Sequence, residues 1–176
     1  LTKQLTITSS LPEPQIIQGD ANPDAAPGGV FFVFGSGDIW MENLIIRHGT
    51  TGITNLGDLA LVRVWVEANR AASTGGGLKQ ISGELFISQS TFAYNTAPTR
   101  GGGIDIEGGS ALIQNSTFAN NSSFLGAGIA FEDSLDVGTQ LIIANSTFFR
   151  NQAPNGGAGV FNLDGFVAVD SSTFSE

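Results

Sequence analysis

The 176-residue chain has no cysteine, one histidine and few charged side chains, and these shortages exclude whole classes of site. Without cysteine, the chain has no disulfides, thiolate zinc ligands or cysteine nucleophiles. Seven lysines and arginines against 16 aspartates and glutamates give a net charge of −9, which opposes binding to nucleic acids and anionic membranes. The apolar segments are also far shorter than the roughly 20 residues with which a helix spans a bilayer.

Glycine, by contrast, is abundant: the chain has 24 glycines, about twice the usual share. Hydrophobic residues make up 41% of the chain and charged residues 13%, which is too apolar for a disordered protein. The length fits one domain with its own core. The composition therefore predicts a single folded domain in which glycine has a recurring structural role.

A Ser-Thr-Phe motif recurs along the chain with a period of about 26 residues. Its phenylalanines are 26, 30 and 26 residues apart and are Phe92, Phe118, Phe148 and Phe174. Apolar residues stand seven and five positions before each phenylalanine, as at Leu85 and Ile87. This period of two indicates a short strand with one buried face in every repeat.

Two more columns share this period. A glycine followed by an apolar residue recurs at Gly29, Gly52, Gly77, Gly103, Gly128 and Gly159. Three positions after the phenylalanine position, asparagine recurs at Asn69, Asn95, Asn121 and Asn151. Among the residue types, asparagine is second only to glycine in tolerating the left-handed backbone conformation. We therefore expect these asparagines to adopt left-handed bends, to stack as a hydrogen-bonded ladder and, with the phenylalanines, to hold the repeats together.

Units of this length, with two or three short strands and no helical periodicity, are typical of a parallel β-helix. The prediction is an all-β, single-stranded parallel solenoid of about six to seven coils, each coil stacked on the last. We expect one domain over residues 1–176, with an irregular N-terminal coil at 1–38 and regular coils at 39–176. A β-sandwich would not keep chemically matched columns at a near-constant period.

Two motifs alternate in the repeats and resemble those of a known family. The segments are Gly-Gly-Gly-Ile at 101–104, Gly-Ala-Gly-Ile at 126–129 and Gly-Ala-Gly-Val at 157–160, alternating with Phe-x-x-Asn at 92–95, 118–121 and 148–151. They resemble the GGA(I/L/V) and FxxN repeats of polymorphic outer membrane proteins and the wider group of bacterial right-handed β-helix surface proteins. The resemblance covers residues 57–176 well and the preceding residues loosely.

The resemblance implies a right-handed coil and an extracellular or cell-surface location. It also implies an adhesive or structural role, usually without a catalytic site. The chain is then expected to be a processed product or part of a longer passenger. Because no cap is apparent in the last repeat, its exposed strand edges predict head-to-tail or lateral association with other copies, and fibres as one result.

An outward-facing column of the repeated strands is unusually apolar. If Leu85 and Ile87 point inward, the residues between them point outward. The resulting column, here called the contact stripe, contains Trp40, Ala60, Phe86, Leu112, Ile142 and Ala168. Contiguous apolar patches mark contact surfaces. The stripe is expected to be covered by residues 8–29 of the same chain, by another copy, or by a glycan or protein of a host or cell surface.

Three carboxylates accompany the contact stripe at Asp38, Asp58 and Glu84. On consecutive coils they would lie about 5 Å apart, which suits a retaining glycosidase or calcium. Trp40 and Phe86 beside them could stack on sugar rings. The alternative to an adhesive protein is therefore a carbohydrate-active β-helix that uses these three acids. The competing structural explanation is that each acid follows a turn glycine and is simply solvated. We accordingly expect no enzyme, cofactor or metal, with calcium as the one alternative.

Overall fold

The computed structural model describes residues 4–19, 29–35, 37–133 and 138–176. Within these ranges the chain forms twenty short strands in three sheets, and it contains no helix. Each strand is paired in parallel with the strand that occupies the same position in the next repeat. The chain therefore passes through all three sheets once per coil, which confirms the predicted parallel β-helix and its period of about 26 residues.

Each sheet contains one strand from each successive coil, with seven strands in the first and second sheets and six in the third. The first sheet contains Leu5–Thr8, Ile39–Glu42, Leu59–Val62, Leu85–Ser88, Ala111–Gln114, Gln140–Ala144 and Phe166–Asp170. The second sheet contains Gln15–Gln18, Leu44–Arg47, Trp65–Glu67, Thr91–Ala93, Thr117–Ala119, Thr147–Phe149 and Thr173–Ser175. The third sheet contains Phe31–Val33, Ile53–Asn55, Leu78–Gln80, Ile104–Ile106, Ile129–Phe131 and Val160–Asn162.

A column of phenylalanine rings packs inside the coils. Phe92, Phe118 and Phe148 are buried, and Phe174 continues the column at the last coil. Neighbouring ring centroids lie 5.2, 4.8 and 4.6 Å apart, and their planes differ by no more than 9°. The stack arises because the parallel register sets identical side chains directly above one another. Inward aliphatic residues such as Ile87 complete the core.

The asparagine column forms the expected ladder. Asn69 Nδ2 donates to Asn95 Oδ1 at 3.0 Å, Asn95 Nδ2 to Asn121 Oδ1 at 3.2 Å, and Asn121 Nδ2 to Asn151 Oδ1 at 3.0 Å. The prediction that these asparagines themselves adopt the left-handed conformation, however, is wrong. Positive φ values occur one position earlier, at Ala68, Tyr94, Asn120 and Arg150. That residue makes the bend, which leaves the following asparagine free to point inward.

A second ladder, which the sequence did not predict, lies at the corner between the first and second sheets. The serines that open the Ser-Thr-Phe motif are Ser90, Ser116, Ser146 and Ser172. Each of the first three donates its backbone N–H to the hydroxyl of the next serine at 3.0–3.2 Å. Each hydroxyl also donates to a carbonyl two residues earlier at 2.7–2.8 Å. The motif itself was visible in the sequence, but only the stacked corner shows why it requires serine.

The glycine column marks places where two coils approach closely. It contains Gly52, Gly77, Gly103, Gly128 and Gly159. A Cβ atom at Gly103 would lie 2.4 Å from the carbonyl oxygen of Gly128, a separation that side chains cannot adopt. Gly29 was predicted to belong to this column, but it does not. Because Phe31 pairs with Ile53, Val30 and not Gly29 lies opposite Gly52.

Candidate binding groove on the first sheet

The parallel register of the first sheet assembles the contact stripe. Consecutive pairs join Trp40 with Ala60, Ala60 with Phe86, and Phe86 with Leu112. The column continues through Ile142 to Ala168. Leu85 and Ile87, which flank Phe86, point into the core and are buried, whereas 39% of Leu112 and 38% of Ile142 is exposed. The stripe is therefore a continuous apolar row on the outer surface.

The three predicted carboxylates lie directly before strands of the same sheet. The backbone carbonyls of Asp38, Asp58 and Glu84 each accept a hydrogen bond from the coil before them, at 3.0, 3.0 and 2.9 Å. These bonds extend the ladder to the acids and place them on three consecutive coils. Asp58 also accepts the backbone N–H of Glu84 through its carboxylate Oδ1 at 2.8 Å.

The acids and the contact stripe meet in one groove with a volume of about 450 Å³. It is lined by Gln4, Asp38, Ile39, Trp40, Asp58, Leu59, Ala60, Glu84, Leu85, Phe86 and Leu112. The groove crosses the strands, so it runs along the stacking direction over five coils. The structure thus brings together the three acids and Trp40, Phe86 and Leu112, whereas Ile142 lies beyond the groove on the same sheet.

The groove is acidic as well as apolar. The described residues of its lining include three carboxylates and no lysine, arginine or histidine. Within the described ranges, no cationic side chain forms an ion pair with Asp38, Asp58 or Glu84. Within the contact stripe, Trp40 donates its Nε1–H to the carboxylate of Glu42 at 3.3 Å. A bound molecule would therefore meet aromatic surface beside three carboxylates that have no ion-pair partner among the described residues.

Metal-ligating side chains do not converge in this groove. Among the residues that the structure describes, no group of three or more histidine, cysteine, aspartate or glutamate side chains is arranged to hold a metal ion. The single histidine, His48, lies away from the groove at an exposed corner with φ 58°. Its neighbour Arg47 belongs to the second sheet, where its Nε–H donates to Gln18 at 3.1 Å.

The expectation that residues 8–29 cover the contact stripe is wrong for the part that can be described. Gln15–Gln18 forms a strand of the second sheet and pairs with Leu44–Arg47. No residue of 8–19 lines the groove. Residues 20–28 lie outside the described residues. The first strand of the first sheet, Leu5–Thr8, pairs with Ile39–Glu42 and extends the groove wall instead of covering it.

The third sheet carries a charge cluster that the sequence did not predict. Arg100 Nε lies 3.0 Å from Asp105 Oδ1, and Arg100 also pairs with Glu107 at 3.2 Å and with Glu132. Lys79 adds a pair with Glu107 at 2.9 Å. Burial raises the pKa of the Asp105 carboxyl to about 6, although the positive charge of Arg100 opposes the shift. These residues come from three repeats, so no local sequence motif predicts the cluster.

The architecture defines the class of protein: a parallel β-solenoid with an outer apolar groove. A family model described as "Right handed beta helix region" matches residues 24–175. The chain belongs to this right-handed β-helix family. No curated protein and no solved structure matches it. The family includes adhesin-like and carbohydrate-active proteins, so membership defines the fold and the hand of the coil. The described residues include no helix that could cross a membrane.

Proposed function

We propose that this protein is a non-enzymatic, extracellular or cell-surface β-helix that adheres to a glycan through the groove on the first sheet. The observation that carries the proposal is the union of Trp40, Phe86 and three carboxylates in one groove along the stacking direction. Ligand sites typically combine an apolar lining with a few polar groups that orient the ligand. The groove has this composition, and a polymer lying in it would cross one coil after another.

The dimensions of the groove favour a sugar polymer. Each coil advances the stack by about 4.8 Å, which is close to the length that one pyranose unit adds to an extended glycan. The rings of Trp40 and Phe86 offer flat surfaces for the C–H faces of sugars. The exposed carboxylates of Asp38 and Glu84 can accept hydrogen bonds from sugar hydroxyls.

The solvent exposure of the acids favours adhesion to a glycan over cleavage of it. A glycosidase needs one carboxyl that is buried in apolar surroundings and so keeps its proton until it is donated. Asp38 and Glu84 are exposed to solvent, and one oxygen of Asp58 is occupied by the N–H of Glu84. The three acids are therefore better suited to contacting a glycan than to breaking one.

Cleavage of the glycan is the second candidate function, and one observation favours it. Acids on consecutive coils are about 4.8 Å apart, close to the roughly 5–5.5 Å between the carboxyl groups of retaining glycosidases. Asp58 and Glu84 form such a pair, since they precede the neighbouring strands Leu59–Val62 and Leu85–Ser88.

The chain has two tryptophans, which makes fluorescence a direct test of glycan binding. In a Trp65→Phe protein, Trp40 is the only tryptophan and reports occupancy of the groove. We expect its emission to change on titration with a β-linked glycan. In the otherwise wild-type chain, calorimetry should show that Trp40→Ala and Phe86→Ala each weaken binding about tenfold or more, because flat apolar contact area is lost.

Trp65→Ala is the matched control, because Trp65 is 50% exposed on the second sheet, outside the groove. Equal losses from Trp65→Ala and Trp40→Ala would contradict binding in the groove. The same glycans are incubated with the protein and assayed for new reducing ends. If the protein releases new reducing ends and the Asp58→Asn variant does not, cleavage replaces adhesion as the function of the groove.

Association of copies through the contact stripe is a separate prediction. Sedimentation of the wild type and of the Phe86→Ser variant measures it.

A further inference from the structure

The same pair of groups occurs twice in the groove, on two coils that are separated by one. An acid followed two residues later by an aromatic ring occurs at Asp38 with Trp40 and again at Glu84 with Phe86. The coil between these two has Ala60 at the ring position. At about 4.8 Å per coil, the two rings lie about 10 Å apart along the stack.

A glycan joined through equatorial 1→4 bonds has the matching symmetry. Successive pyranoses in such a chain face opposite ways, so the same face and the same substituents return on every second sugar. With one sugar to each coil, the faces that meet Trp40 and Phe86 are chemically identical. The intervening sugar lies over Ala60, where no ring is needed.

The charge of the groove identifies the kind of sugar. Asp38 and Glu84 are exposed, and no cation in the described part of the chain pairs with either. The net charge of −9 repels uronic acid polymers before they reach the groove. A primary amine on every second or every sugar would supply the missing positive charge, and ammonium groups also interact favourably with aromatic faces.

We propose that the groove selects a cationic glycan, namely a β-1,4-linked polymer of 2-amino-2-deoxyglucose. Its ammonium groups pair with Asp38 and Glu84 while its rings stack on Trp40 and Phe86. The inference rests on the proposed function, since it specifies the glycan that the same groove binds. The complementary charge, the spacing of the two rings and the lack of cations among the described lining residues support this one occupant.

The experiment compares three pentasaccharides of equal length: the glucosamine oligomer, its N-acetylated form and the glucose oligomer. Trp40 fluorescence is followed in the Trp65→Phe protein at a pH of about 5.5, at which the sugar amine carries a proton. The glucosamine oligomer should bind about tenfold more tightly than the two neutral ones, as expected for two exposed ion pairs. Asp38→Asn combined with Glu84→Gln should reduce this preference severalfold, leaving only the contribution of Asp58, and added salt should also reduce it.

Glu13→Gln combined with Asp170→Asn is the matched control, because it removes two negative charges at exposed positions outside the groove. This variant should keep the preference for the amine. Equal binding of all three oligomers, or a preference unaffected by the Asp38 and Glu84 substitutions, would overturn the cationic selectivity and leave glycan binding intact. Failure of all three to bind would overturn the proposed function together with the inference.

Discussion

The asparagine ladder shows what one residue type contributes to a stacked coil. Asn95 donates through Nδ2 to the carbonyl of Val66 at 2.8 Å and to Asn121 at 3.2 Å. Its Oδ1 accepts both the backbone N–H and the Nδ2–H of Asn69, at 3.1 and 3.0 Å. All of these groups are buried. Only an amide on a short side chain supplies two donors and one acceptor in this space.

We expect Asn95→Ala to lower the free energy of unfolding by about 3 kcal/mol, because it leaves buried donors and acceptors of two neighbouring coils without partners. Urea denaturation measures the change. Asn155→Ala is the control: Asn155 is exposed, and its loss should cost less than about 0.5 kcal/mol. Similar losses in the two variants would show that the ladder does not stabilise the stack.

Residue identity predicted these columns but misplaced the backbone bend by one position. The residues that adopt positive φ include Tyr94 and Arg150, whose types give no preference for that conformation. They adopt it because the following asparagine must point inward to join the ladder. Local propensity therefore indicated a bend, and the long-range hydrogen bonds decided which residue makes it.

At the scale of the strand and its corner, close approach between coils governs the sequence. The third sheet begins after the glycine column, where successive backbones are too near for a Cβ atom. In the motif at 101–104, Gly101 has φ 64° and Gly103 faces the carbonyl oxygen of the next coil. The two glycines thus meet different requirements, one conformational and one steric.

Gly103→Ala tests the steric requirement. We expect it to lower the free energy of unfolding by more than about 2 kcal/mol, because the new methyl group forces the coils apart. Gly29→Ala is the matched substitution at a roomier site, where the nearest atom would be 3.3 Å away, and it should cost less than about 1 kcal/mol. Thermal and urea unfolding followed by circular dichroism measure both. A smaller effect at Gly103 than at Gly29 would contradict the close approach.

The elements themselves were largely predictable, because the period of two and the matched columns reappear in every repeat. The strands of the first sheet occur where the apolar pairs indicated them, as at Leu85–Ser88 and Gln140–Ala144. The third sheet was harder to predict. Its strands are three residues long and carry outward residues as different as Lys79, Asp105 and Phe161. Because these outward residues differ so much in type, they show no periodic pattern from which the strands could be predicted.

On the scale of the whole molecule, the charge cluster of the third sheet couples stability to pH. Burial raises the pKa of Asp105 from 3.8 to about 6, so between these values the folded state binds more protons than the unfolded state. The contribution of this group is therefore fully present at low pH and is lost as the pH rises through about 6. The growing net negative charge acts in the same direction.

We expect the free energy of unfolding to fall with rising pH across this window, by up to about 3 kcal/mol from Asp105. Denaturation curves recorded at several pH values measure it. Asp105→Asn removes the titrating group at nearly constant shape, so its profile should be flatter than that of the wild type. Parallel profiles for the two proteins would rule out Asp105 as the source.

The sequence by itself determined the parallel β-helix, its period, the stacked phenylalanines and asparagines, and the outward position of the contact stripe. It could do so because a solenoid repeats one local environment, and each coil constrains the same residue types again. The tertiary structure alone decided that residues 8–19 leave the groove open, and that Lys79 and Arg100 pair with acids of neighbouring coils. The residue types at these positions do not repeat from coil to coil, so no periodic pattern in the sequence predicts the contacts.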